Sequence, residues 1–97
     1  MMNDYSFIQI MKAQAERDMA INHAEEDFSK VEGNGWDKFQ TVESLGNEHL
    51  TDLAWQDFAI MQRQQQRLLR QTKEAIIEKY KLAVKIARKG GLGYGSI

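Results

Sequence analysis

The sequence predicts an all-α fold, an elongated helical hairpin with a short middle helix at the bend and a Gly-rich C-terminal tail. The 97 residues include no proline, which favours long uninterrupted helices. Apolar residues recur at intervals of three and four, not in the alternation of a strand. The seven glycines fall within residues 33–46 and 90–95, where they are expected to end helices. We expect one helical domain over residues 1–97.

The first helix is predicted over residues 4–31, with Asp4 or Ser6 as the N-cap. Its apolar stripe consists of Phe7, Ile10, Ile21, Ala24, Phe28 and Val31. Arg17 falls inside this stripe and is the one misplaced charge. It could pair with an acid of the long helix, mark a contact between chains, or extend its stem to reach water.

Gly33-Asn34-Gly35 is expected to end the first helix, because Gly and Asn tolerate positive φ. A short middle helix is predicted over residues 37–45, with Gly46 as its stop. Four apolar residues spaced three apart support it: Trp36, Phe39, Val42 and Leu45. The two aromatic residues suggest a plug that closes one end of a core.

The long helix is predicted over residues 47–89, capped by Asn47 or Thr51. One face carries its apolar residues, which are Leu50, Ala54, Phe58, Met61, Leu68, Leu69, Ile76, Ala83 and Ile86. Gln65 and Thr72 project on the same side. Residues 62–67 are polar, so the helix either has a solvated centre or breaks near Gln64. Residues 90–97 form the predicted tail, a possible docking peptide.

The composition excludes several classes of site. The chain has no cysteine, so it can form neither a disulfide nor a Cys-ligated metal centre.

No apolar run approaches the roughly 18 residues that span a bilayer. The first residues lack the features of a signal peptide. We expect a protein without membrane contact that is cytoplasmic or is incorporated into a particle assembled inside the cell.

No constellation of residues supports catalysis. Four serines lack an identifiable base with an orienting partner, and no carboxylate pair stands out as acid and base. His23 lies near Glu26 and Asp27, but the order of the ligands and the polar side of the helix argue against a metal site. His49 with Asp52 gives no stronger signal. We expect no enzyme, no cofactor and no metal.

Charge is divided unevenly along the chain. Residues 1–61 carry four bases against twelve acids, whereas residues 62–97 carry nine bases against two acids. Six bases form a stripe along the long helix: Arg63, Arg67, Arg70, Lys81, Lys85 and Arg88. The stripe is a solvated face, a contact for an acidic protein surface, or a phosphate contact for nucleic acid. An acidic face around Glu16, Glu25, Glu26 and Asp27 could instead mimic nucleic acid.

Unequal helix lengths suggest a partner. Helices of about 28 and 43 residues cannot cover each other, so the end of the longer one should expose apolar side chains. The predicted interface comprises Ile76, Ile77, Tyr80, Leu82, Val84, Ile86, Leu92, Tyr94 and Ile97. We expect an oligomer or a component of a large assembly such as a phage particle. A small inhibitor that binds through its acidic face and a nucleic-acid binder are the alternatives.

Overall fold

Two α-helices joined by a short turn form the protein, and the all-α helical hairpin is confirmed. The computed structural model describes the backbone of residues 4–96 and the side chains of residues 5–89. Helix α1 spans Asp4–Glu43 and helix α2 spans Glu48–Ser96, with no strand in this part of the chain. The predicted tail, residues 90–97, lies outside the described side chains.

Helix α1 does not end at Gly33-Asn34-Gly35, which corrects the predicted stop and merges the expected middle helix into α1. Neither glycine takes a positive φ. The half-buried Phe28 and the buried Phe39 lie eleven residues apart, close to three helical turns. Only a continuous helix keeps both on one face, and this packing outweighs the roughly 1 kcal/mol that each glycine costs a helix.

The turn between the helices has the local chemistry that the sequence predicted. Gly46 adopts φ 72°, the left-handed conformation that glycine accepts without strain. Its amide donates to the carbonyl of Glu43 over 3.1 Å. Asn47 caps α2, since its Oδ1 accepts the amide of Leu50 over 3.1 Å. The predicted helix stop at Gly46 and the predicted cap at Asn47 are therefore confirmed.

The chain divides into two compact units, each of which pairs a piece of α1 with a piece of α2. Unit 1 consists of Met1–His23 and Thr72–Ile97, and unit 2 consists of Ala24–Gln71. Unit 2 contains the turn. In each unit the more buried side chains recur at intervals of three or four on each helix, so they line one face.

These inner positions repeat every eleven residues, which is close to three turns of a straight helix. On α1 the three series are Ser6, Arg17, Phe28 and Phe39; Ile10, Ile21 and Glu32; and Ala13, Ala24 and Gly35. On α2 they are Phe58, Leu69 and Tyr80; Ala54, Gln65, Ile76 and Ala87; and Met61, Thr72 and Ala83. All are buried or half-buried. The third α1 series contains only small residues, which lets the facing helix approach closely.

Helix α2 continues through Gln64, so the alternative of a break there is wrong. Gln65 and Thr72 are half-buried, as expected from their position on the apolar side. Several residues expected inside are instead exposed: Phe7, Val31, Leu50, Leu68 and Ile86. The apolar residues therefore occupy more than one face of each helix, whereas the sequence analysis assumed a single stripe.

Gly33→Ala tests the continuity of α1. A Cβ at Gly33 meets nothing within 4 Å, so alanine should raise the free energy of unfolding by about 1 kcal/mol through helix propensity. At Gly35 a Cβ would overlap the Met61 methyl and touch Phe58, so Gly35→Ala should raise the free energy of unfolding by less than Gly33→Ala does. Urea unfolding of both variants measures the difference. A loss of stability in Gly33→Ala would mean that the helix stops there.

Candidate protein-contact surfaces

Unit 2 is held by four aromatic rings, two from each helix. Trp36 and Phe39 of α1 lie 5.3 Å apart, and Trp55 and Phe58 of α2 lie 6.0 Å apart, measured between ring centroids. Edge-to-face contacts join the helices, with Phe39 at 5.4 Å from Trp55 and Trp36 at 5.6 Å from Phe58. Phe39 and Phe58 are buried, but Trp36 and Trp55 are 41% and 51% exposed. The tryptophans therefore leave apolar ring surface exposed to water.

A groove of about 500 Å³ lies beside these rings, between α1 and α2 in unit 2. Gly35, Phe58 and Met61 line it together with Lys38 and Asp57. The lining is mostly apolar, with one charge of each sign.

Unit 1 has a different core, with a polar group and small residues where unit 2 has rings. Ser6 is fully buried and its hydroxyl donates to the carbonyl of Ala87 over 3.1 Å. Ala13, Ala83 and Ala87 line an open groove of about 480 Å³. Small side chains bury little apolar area, so this helix pair gains less from the hydrophobic effect than unit 2 does.

Arg17 stacks on Tyr80, which explains the charge inside the apolar stripe. Its guanidinium carbon lies 4.4 Å from the ring centroid, within cation–π range. Its Nε donates to the Asp18 carboxylate over 3.0 Å, and this hydrogen bond is the main reason that the pKa of Arg17 is raised. On the long helix, Arg17 thus contacts an aromatic ring. Its acidic partner is Asp18, the next residue in the sequence. The Tyr80 hydroxyl also accepts a 3.4 Å hydrogen bond from Gln14.

The predicted interface residues of α2 divide into two groups. Ile77, Leu82 and Ile86 are 39%, 57% and 60% exposed. Ile76, Tyr80 and Val84 are half-buried, and the first two line a groove with Ala13 and Ala20 of α1. The overhang expected from unequal helices is wrong here, because α1 is 40 residues long and reaches this part of α2. The side chains of Leu92, Tyr94 and Ile97 lie outside the described residues.

Several other exposed apolar side chains lie outside the sets predicted from the sequence. On α1 they include Ile8, Met11 and Met19, which are 59%, 53% and 61% exposed. On α2 they include Leu53 and Ile60, which are 45% and 52% exposed. Leu53, Ile60, Leu68, Ala75 and Leu82 recur every seven or eight residues. This second periodicity could have been found in the sequence if more than one stripe per helix had been sought.

The charged residues that the sequence marks as candidate contact surfaces are exposed, and they are divided between the two units. Arg63, Arg67 and Arg70 belong to unit 2, and Lys81, Lys85 and Arg88 belong to unit 1. Lys81 forms a 3.4 Å ion pair with Glu78 on its own helix. Of the acidic set, Glu16 lies in unit 1, whereas Glu25, Glu26 and Asp27 lie in unit 2. Each unit therefore carries three of the six basic candidates, and three of the four acidic candidates belong to unit 2.

Among the residues that the structure describes, no group of three His, Asp or Glu side chains comes together in a way that could hold a metal ion. None of the helical segments they form combines the length and the apolarity needed to cross a membrane.

Comparison with known proteins gives no match: no family model, no curated protein and no solved structure is significantly similar to this chain.

The contact between Arg17 and Tyr80 can be tested by NMR. A guanidinium above a ring is shielded by the ring current, so the Arg17 side-chain protons should resonate upfield of their random-coil positions. Tyr80→Leu should return them to those positions, whereas the matched control Tyr80→Phe keeps the ring and should preserve the shift. Unshifted Arg17 protons in the unmodified protein would contradict the contact.

Proposed function

We propose that this protein is a non-enzymatic assembly protein that acts through protein–protein contacts of its long helix. The observation that carries the proposal is the amount of apolar surface left in water. Among the described side chains, sixteen large hydrophobic residues are exposed, while Phe39 and Phe58 are the buried ones. Isolated exposed hydrophobics are ordinary, but sets that recur along helix faces mark interaction surfaces.

Within α2, the contact surface is proposed to centre on Leu82 and Ile86, which lie one turn apart on the same face, and to extend to the tail. Both are exposed members of the predicted interface, whereas Ile77, also exposed, lies on the other side of the helix. A place in a larger particle, such as a phage particle, is one form that the assembly could take. The partner is proposed to be a second copy of the chain or another protein.

Light scattering after size exclusion tests the proposal. The unmodified protein should form a defined oligomer at about 100 mM and about 500 mM salt, because apolar contacts are little affected by screening. Leu82→Asn combined with Ile86→Asn should weaken self-association by about tenfold for each side chain lost. Lys81→Gln with Lys85→Gln, at adjacent exposed positions, is the matched control and should leave the oligomer unchanged.

A monomer at both salt concentrations would contradict self-assembly. An oligomer lost only at the higher salt would indicate contact between the acidic and basic surfaces. Truncation before Gly90 determines whether the tail contributes to the interface. Nucleic-acid binding that falls steeply with salt and disappears in the triple variant Arg63→Glu, Arg67→Glu and Arg70→Glu would favour the alternative function.

A further inference from the structure

We infer that a second copy of this chain docks on the face of α1 formed by Ile8, Met11, Ala15 and Met19, in an antiparallel arrangement about a two-fold axis at Ala15. The inference rests on the proposed function, since it requires that the protein self-associates. It goes further by assigning a surface on the first helix, the orientation of the partner and the residue on the symmetry axis.

The face is apolar and does not contact α2. Its four residues follow one another at intervals of three, four and four, so they form a single stripe on the helix. All four are exposed. The inner positions of the same stretch, Ser6, Ala13, Arg17 and Ala20, lie about 180° away at 100° per residue. The first half of α1 therefore carries an exposed apolar face in addition to the face that packs on α2.

The two methionines of the face are placed symmetrically about Ala15, so a two-fold axis there pairs the same patch of both copies. Met11 and Met19 lie four residues to either side of it, and Ile8 and Asn22 lie seven residues to either side. A two-fold axis at Ala15 places Met11 at the height of the partner's Met19. The small alanine at the centre lets two backbones approach closely, and the flexible methionines fill the space around it.

The charges beside the face select the antiparallel orientation. Lys12 and Glu16 lie on one flank, one turn apart, and Asp18 lies on the other flank. Antiparallel helices bring equivalent flanks together, so Lys12 of each copy lies beside the partner's Glu16. Parallel helices would instead bring Glu16 beside the partner's Asp18, which is repulsive. Opposite charges at the rim of an apolar seam favour one pairing over the other.

Cysteine cross-linking tests the face, and the chain offers a cysteine-free background. Ala15→Cys should form a disulfide-linked dimer under mild oxidation, because residues on a two-fold axis meet their own copies. A mixture of Ile8→Cys chains and Asn22→Cys chains should give the mixed disulfide and little of either self-linked dimer. Gln66→Cys, an exposed position on α2, is the control and should remain largely unlinked.

Charge exchange gives a second measurement. Lys12→Glu should raise the dimer dissociation constant about tenfold, because the new carboxylate of each copy then lies beside the partner's Glu16 and repels it. Combining Lys12→Glu with Glu16→Lys should restore the original constant. If the protein is oligomeric by light scattering but Ala15→Cys forms no cross-links, the assignment of this face is overturned, whereas the proposed function is not. Self-linked Ile8→Cys dimers would overturn the antiparallel orientation. A monomeric protein would overturn this docking face and self-assembly, and would leave assembly with another protein as the proposed function.

Discussion

Packing between two helices is the constraint on which the rest of the structure depends. A helix pair buries one face of each helix, and here that face follows an eleven-residue repeat on both α1 and α2. Among the described side chains, most large apolar residues outside the repeat stay exposed to water unless another chain covers them. The exposed residues on other faces, such as Met11 on α1 and Leu82 on α2, are therefore a consequence of the two-helix architecture.

The same inner positions are filled differently in the two units. In the series that contains Phe28 and Phe39, unit 1 has Ser6 and Arg17, and the opposing aromatic residue is Tyr80. Ring–ring contacts and buried phenylalanines thus stabilise unit 2, whereas unit 1 has a buried hydroxyl and a cation–π contact in the equivalent series. The inferred contact of α1 with a second copy would add apolar burial to unit 1.

Much of the fold could be predicted because its signals are local. The absence of proline, the cap at Asn47 and the left-handed Gly46 each depend on a few neighbouring residues. The continuation of α1 past Gly33 could not be predicted locally, since it depends on packing of Phe28 and Phe39 against α2. Arg17 was recognised as anomalous, but only the structure identifies Tyr80 as its partner. The second apolar face of α1 was missed because one stripe per helix was assumed.

The proposed self-association implies that this hairpin reaches its full stability only together with other copies of the chain. The most direct test is the midpoint of thermal unfolding, measured over a hundredfold range of protein concentration. When unfolding and dissociation occur together, this midpoint rises with protein concentration by mass action. We expect such a rise, together with a single cooperative transition. A midpoint that does not depend on concentration would show that the hairpin is stable alone and would contradict self-association.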